Sequence, residues 1–239
     1  MNTKDLVLIF CGEEALHQHW QGYTGSFDLA LLKYNDYKYE DENSSKAKFV
    51  FEKAELKWNL FTEFLKSDSS GEFYTYDNYL FLDDDIRTTP QNIDKFFNIF
   101  KEYNFDLAQP GYDKHSYLTH EPTKKIDSAI YHTTSTVEIM SPAFSKRAIQ
   151  YVMEDFFSVK TGHGYGLENV WSKKLHKRGG KSIFGGLIGV IDGLEFCHTR
   201  PVGGGDIYLE KFGNPYEGSA FFENKYHAPV CWETIDVVY

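Results

Sequence analysis

Cysteine is scarce in this chain. Cys11, Cys197 and Cys231 are the whole complement, odd in number, widely scattered and without a CxxC spacing. Neither a disulfide framework nor a zinc knuckle is indicated by such a set. Positive charge is short as well: 25 Lys+Arg stand against 35 Asp+Glu, a formal net charge of −10. No Lys/Arg-rich run offsets it, which argues against a nucleic-acid partner held by phosphate contacts and against a polybasic grip on an anionic membrane. Long apolar runs are also missing. The longest near the start is Leu6–Cys11, far below the ~20 residues of a membrane span. A basic start and a small-residue cleavage site, the marks of a signal peptide, are absent too. No transmembrane segment and a cytoplasmic location are the expectations.

What is present suits a sizeable core. Of 239 residues, 41% are hydrophobic and 17% aromatic, and α/β domains often run to about 250 residues. With no repeat and no linker, 1–239 reads as one domain. Leu6–Phe10 predicts a buried first strand ending at Cys11-Gly12, and Phe27–Leu32 a second ending at Asn35-Asp36. Between Lys46 and Lys66, the spacing of Val50, Ala54, Trp58, Phe61 and Leu65 predicts a helix. Tyr79–Leu82 is an apolar run, and Thr89-Pro90 a cap followed by proline, with Ile93, Phe96, Phe97 and Phe100 as the buried face. Asp106–Gln109 predicts a strand, as does the alternation in Thr136–Met140. Ser141-Pro142 predicts a helix start, and Phe144, Ala148, Val152 and Phe156 follow at every fourth position. Gly162–Gly166 is a glycine-rich loop. Leu167, Val170, Trp171 and Leu175 mark a helix stopped by Gly179-Gly180, and Gly186–Ile191 is the last clear strand. Strands alternating with helices predict a mostly parallel sheet covered on both faces, which binds ligands beyond the carboxyl ends of its strands.

The acidic triplet Asp83-Asp84-Asp85 stands at one such end. In extended chain, Asp83 and Asp85 share one side and Asp84 turns the other way. Crowded carboxylates repel unless a cation or donors compensate. Mg²⁺ or Mn²⁺, hard ions shared between one or two carboxylates and a substrate's phosphates, suits them. The plainer alternative is an exposed acidic turn ahead of the next helix. Arg200 offers a guanidinium that matches phosphate oxygens with paired hydrogen bonds, or forms an ordinary salt bridge. Tyr112, Tyr165, Trp171, Tyr208 and Phe212 are candidate stacking platforms for a sugar, or core. Glu138 either meets such a sugar from its strand end or, the favoured alternative, faces solvent from an edge strand.

A hydrophobic strand, Asp-x-Asp and an aliphatic residue, as in Leu82-Asp83-Asp84-Asp85-Ile86, resembles the metal-binding motif of glycosyltransferases with the GT-A fold. The resemblance implies a nucleotide-diphospho-sugar-binding α/β sandwich. It gives the cation to Asp85 and the cation or ribose to Asp83, with Asp84 among the donor-binding residues. In Gly162-His-Gly-Tyr-Gly-Leu-Glu168-Asn169 it implies a general base. Many inverting relatives carry two acids there and this chain has Glu168-Asn169, so the role falls to Glu168; the alternative is a helix-dipole Glu in the first turn. The same order implies His198 as a further metal ligand, a loop at Cys11-Gly12 against the donor, and Asn35-Asp36 near the base and ribose. Gly-Tyr-Gly-Leu-Glu-x-x-Trp, Val-Ile-Asp and His-Thr-Arg-Pro-Val-Gly also resemble a bacterial glycosyltransferase-like family linked to lipopolysaccharide and capsule synthesis, over Leu80 to Gly205.

The resulting expectation is a metal-dependent transferase, inverting if Glu168 is the base, with a retaining outcome as the alternative. It moves a sugar from a nucleotide-diphosphate donor to a saccharide or lipid-linked saccharide acceptor at Tyr165 and Trp171, and meets the inner membrane only through partners. Two other readings compete. An Asp-nucleophile phosphatase also uses Asp-x-Asp, but wants Thr or Val where Arg87 stands. A non-catalytic carbohydrate-binding protein on the same scaffold predicts binding without turnover.

Overall fold

A computed structural model describes residues 4–20, 25–34, 42–159, 162–202, 214, 216–226 and 232–239. The elements follow in chain order. Strands β1 (Asp5–Cys11), β2 (Asp28–Lys33) and β3 (Phe49–Glu52) precede helix α1 (Lys57–Ser67). Then come β4 (Asn78–Leu82), β5 (Ile86–Arg87), α2 (Pro90–Glu102), β6 (Phe105–Tyr112), β7 (Tyr131–Thr134) and β8 (Ala143–Ser145). The remainder is α3 (Lys146–Phe157), α4 (Leu167–Leu175), β9 (His176–Arg178), β10 (Lys181–Ser182), β11 (Leu187–His198), α5 (Tyr216–Tyr226) and β12 (Thr234–Val238).

One sheet runs through the molecule in the order β12-β7-β11-β6-β8-β4-β1-β2-β3. From β4 to β3 every neighbour is parallel. Beyond β4, the short β8 slots in antiparallel to both β4 and β6, and β7 and β12 are antiparallel additions. The sheet is therefore mixed, and the expectation of a mostly parallel sheet holds for one half.

Both faces are covered. Along β1, Leu6, Leu8 and Phe10 pack into one core with residues of α1, α3 and α4, while Val7, Ile9 and Cys11 enter a second core with α2. A strand buried on both faces reads as an unbroken apolar run, which is why Leu6–Cys11 shows no alternation. α2 follows its sequence signals. Pro90 occupies the first turn, the Thr89 hydroxyl accepts from the Asn92 amide at 3.2 Å, and Ile93, Phe96, Phe97 and Phe100 are buried. No helix among the described residues is long and apolar enough to cross a membrane.

Elsewhere the local signals give way to tertiary pairing. The helix expected from Lys46 begins at Lys57, because Phe49–Glu52 pairs in parallel with β2 and leaves Val50 on the exposed sheet edge. Thr136–Met140 is irregular rather than a strand. Its polar groups find partners outside any ladder, among them Gln109 and Lys57. The helix start expected at Ser141-Pro142 moves to Ser145, whose hydroxyl accepts from the Ala148 amide, because Ala143–Ser145 is drawn into the sheet. Gly179-Gly180 turns the β9–β10 hairpin after α4 has already ended at Leu175. The last strand continues to His198: after a register shift against β6, it pairs with β5.

The glycine loop is fixed by contact with α1. The Trp58 amide donates to the Gly162 carbonyl at 3.1 Å. Gly164 has a φ of +83°, and a Cβ there would lie 1.9 Å from the Trp58 ring. Gly164→Ala therefore combines backbone strain with overpacking and is expected to cost about 2–4 kcal/mol. Urea unfolding checks this, and a loss below about 1 kcal/mol contradicts the packing described.

Candidate functional site

The site lies at the carboxyl ends of β1 and β4, where the chain leaves the sheet between its two helical layers. Each member of the acidic triplet takes a different partner. The Asp83 carboxylate meets Lys57 Nζ at 2.5 Å. Lys57, in the first turn of α1, also donates to the Ile139 carbonyl and lies over the Phe10 and Trp58 rings. Burial pushes the Asp83 carboxyl up to about 6; Lys57 opposes that shift, and the charges of Asp85 and Asp84 add to it.

Asp84 sits in a turn, closed by the Ile86 amide on the Asp83 carbonyl at 3.3 Å, rather than in the extended chain expected, and it takes partners of its own. It accepts from the Gly12 amide at 3.2 Å, from the Tyr34 hydroxyl and from Arg200 Nη1 at 3.3 Å. Arg200 also donates to the Glu14 carbonyl at 3.2 Å. Burial still raises the Asp84 carboxyl, against the hydrogen bond from Tyr34 and the charge of Arg200.

Asp85 belongs to the far end of β11. Pairing of Ile86 with His198 and Arg87 with Cys197 brings that strand alongside, and the Thr199 amide and hydroxyl both donate to the Asp85 carbonyl. The side chains then meet: His198 Nε2 lies 3.3 Å from Asp85 Oδ2. His198 Nδ1 is 2.7 Å from the Tyr117 carbonyl, which only accepts, so this nitrogen donates. In the neutral ring Nε2 is then a lone pair facing a carboxylate. Burial lowers the His198 pKa, but the Asp85 carboxylate outweighs it and the net shift is upward.

Glu168 stands in the first turn of α4, behind Gly166 at a φ of +94°. The Gly166 amide donates to both its carboxylate oxygens, at 3.2 and 3.0 Å. Burial pushes the carboxyl up to about 7 despite these bonds. Asn169, in place of a second acid, is buried. Glu138 departs from the expectation of a solvent-facing position. It is 8% exposed, and burial, aided by the Glu168 charge, pushes its carboxyl up to about 8.

Asp83, Asp85, Glu168 and His198 are thus brought to one end of the sheet, and Gly12, Asp84 and Arg200 are joined beside them. The Cys11 side chain is buried, its thiol against the Ile9 carbonyl, so only its backbone remains for a ligand. Trp171 is no platform. It is 0% exposed, edge-on to Trp58 and Phe144, because α4 must bury its apolar stripe. Tyr112 is likewise core, its hydroxyl bonded to Ser141. Tyr165 stacks on the exposed Tyr216 with centroids 5.9 Å apart, a surface aromatic pair. Asn35, Asp36, Tyr208 and Phe212 lie outside the described residues. Lys57 was missed, since nothing local distinguishes a lysine at a helix start.

Among the described residues no three His, Cys, Asp or Glu side chains gather closely enough to hold a metal ion by themselves. The donor set nevertheless suits one shared with a substrate. Asp85 Oδ1 is buried without a hydrogen-bond partner, and Asp85 Oδ2 faces a histidine nitrogen. A hard cation commonly takes one or two carboxylates from protein and the rest from phosphates.

The architecture, a mixed central sheet with helices on both faces, is one that solved structures share. The solved structures that share it include S. aureus TarS 1-349, with a TM-score of 0.54 at 9% identity over 81% of this chain and 59% of that one. S. aureus TarS gives 0.54 at 10% identity, over 81% and 36%. TarS 1-349 in complex with UDP gives 0.51 at 11% identity, over 81% and 59%. The chain therefore spans about three-fifths of TarS 1-349 and about a third of TarS. At such identities the likeness is one of fold. No protein-family model and no curated protein sequence matches the chain.

The two members of the Arg200–Asp84 pair differ in burial. Asp84→Ala strands the Gly12 amide, the Tyr34 hydroxyl and Arg200, and is expected to lower stability by about 2–4 kcal/mol. Arg200, whose side chain is 40% exposed, is expected to change stability by about 1 kcal/mol or less when replaced by Ala. Equal losses in urea unfolding contradict Asp84 as the anchor.

Proposed function

We propose that this protein is a metal-dependent glycosyltransferase that moves a sugar from a nucleotide-diphosphate donor to a saccharide or lipid-linked saccharide acceptor, with inversion. The reading extends to assembly of a bacterial surface polysaccharide, capsule or lipopolysaccharide. The observation that carries it is the gathering of Asp83, His198 and Glu168 about Glu138, with Asp85 against His198, at the strand ends of a TarS-like sandwich. UDP is the first nucleotide to test, because a fold neighbour was solved with it.

Asp83, Asp85 and His198 would hold Mn²⁺ or Mg²⁺, which when bound supplies Lewis-acid neutralisation of the departing diphosphate. Arg200, beside Asp84 and half in solvent, has donors left for phosphate oxygens. The Gly12 segment, fastened by Asp84, lines the donor side. Glu168 takes the proton of the acceptor hydroxyl as its oxygen bonds to the anomeric carbon and the bond to the diphosphate oxygen breaks. One displacement inverts that carbon. Tyr165, on the open side of the glycine loop, offers a face to the acceptor.

Calorimetric titration of UDP with and without Mn²⁺ tests the donor site. Wild type is expected to bind in a metal-dependent way and Asp85→Asn to lose that binding at least tenfold; wild type that binds no nucleoside diphosphate under any metal condition overturns the assignment. For the base, ionised Glu168 is the working form, and its carboxyl is held at about 7. The rate of UDP release is therefore expected to rise with pH through about 7 and then level. Glu168→Gln is expected to lower it by about 10²–10⁴-fold and flatten that rise; an unchanged rise assigns the base elsewhere.

A further inference from the structure

Between β7 and β8 the chain crosses the site through Thr136–Ser141 with no regular structure, yet it is largely buried and closely tied. The Thr136 hydroxyl donates to the Glu168 carbonyl at 3.1 Å, and the Glu138 amide to Gln109 Oε1 at 2.7 Å. The Ile139 carbonyl accepts from Lys57 at 2.5 Å, and the Met140 carbonyl from the Asp83 amide at 3.1 Å. Ser141 bonds the Tyr112 hydroxyl. Five neighbours thus hold six residues in one shape.

That shape delivers the Glu138 side chain to a place where the fold gains nothing from it. Its Oε2 is buried without a hydrogen-bond partner. The charged groups around it are Glu168 from α4, Asp83 beyond β4, His198 from the end of β11 and Lys57 from α1. Burying a carboxyl oxygen without a partner is unfavourable, the charges of Glu168 and Asp83 add to the cost, and His198 and Lys57 offset part of it. A leucine or glutamine would fill the space at less cost.

We infer that Glu138 is a substrate contact whose Oε2 hydrogen-bonds a sugar hydroxyl at the point of transfer. The inference rests on the glycosyltransferase reading above. The hydroxyl belongs either to the sugar being moved or to the acceptor, since Glu138 has the proposed base and the proposed donor-side residues as its charged neighbours.

Two variants, Glu138→Gln and Glu138→Leu, test this in three measurements. The first needs no substrate. Relieved of the unsatisfied carboxyl, both variants are expected to melt about 2 °C or more above wild type; a lower melting temperature in both shows that the fold needs Glu138 and overturns the contact. In the second, calorimetry with UDP and with UDP-GlcNAc in Mn²⁺ separates the two sources. A contact to the moved sugar weakens UDP-GlcNAc towards UDP in Glu138→Leu, and a contact to the acceptor leaves both affinities within twofold of wild type. In the third, transfer from UDP-GlcNAc, UDP-glucose and UDP-galactose to a panel of mono- and disaccharide acceptors, followed as UDP release above the acceptor-free rate, is expected to fall at least tenfold in Glu138→Leu and less in Glu138→Gln, which keeps a hydrogen-bonding oxygen. Wild-type rates in Glu138→Leu overturn the contact alone. A wild type that binds no nucleoside diphosphate overturns the glycosyltransferase reading and takes the contact with it.

Discussion

Asp84 accepts from the Gly12 amide at the end of β1, from the Tyr34 hydroxyl just past β2 and from the Arg200 guanidinium beyond β11. Three segments distant in sequence are fastened by one carboxylate. The turn that carries it is closed by the Ile86 amide on the Asp83 carbonyl at 3.3 Å, and its two flanking carboxylates go to Lys57 and His198. The Leu16 amide adds a bond to the Asp84 carbonyl at 2.7 Å, so the backbone of the triplet is held as well as its middle side chain. The geometry of the other groups depends on this one anchored turn.

Around that turn the dominant electrostatic fact is the confinement of acids. Burial raises Asp83, Glu138 and Glu168, and neighbouring carboxylates add to it, Asp85 and Asp84 for Asp83, Glu168 and Asp83 for Glu138. Lys57 and His198 are the cationic or ionisable partners that offset it inside the site. The imbalance has a chemical use: carboxyls whose proton affinities are spread upward towards neutrality are suited to exchanging protons with hydroxyl groups.

Much of this was legible in the residues, and what was not has a common cause. Leu6–Cys11, Tyr79–Leu82, the Thr89-Pro90 helix start and the stripe of α4 are local signals, and they survive because their burial is decided by their own pattern. The acidic triplet, Glu168 and His198 were singled out through motif order, and they lie at one end of the sheet. The failures are places where distant partners overrode a local pattern. Val50 fits a helical stripe, but Phe49–Glu52 is captured by β2. Thr136–Met140 alternates like a strand, yet its polar groups are bound by Gln109, Lys57 and Glu168. Glu138 looked solvated for the same reason: period-two reasoning assigns a face, whereas an irregular segment assigns a direction. Trp171 was misjudged in the opposite sense, an aromatic near a functional loop whose helix had a prior claim on it. Lys57 carried no signal at all, since its role exists only once α1 lies across the end of β1 and β4.

The antiparallel pairing of β5 with the end of β11 has a consequence for how the chain comes off the ribosome. Thr199, which closes that pairing on the Asp85 carbonyl, lies 114 residues beyond it. During synthesis the parallel half of the sheet can assemble while His198 and Arg200 are still unmade, leaving the acidic turn with Lys57 as its counter-charge. Pairing across such separations is slow to form. The nascent protein therefore passes through a stage in which the parallel half of its sheet exists and the His198–Asp85 and Arg200–Asp84 pairs do not. A stalled or shortened chain ending before β11 would carry the acidic turn with Lys57 as its one cationic partner among the described residues.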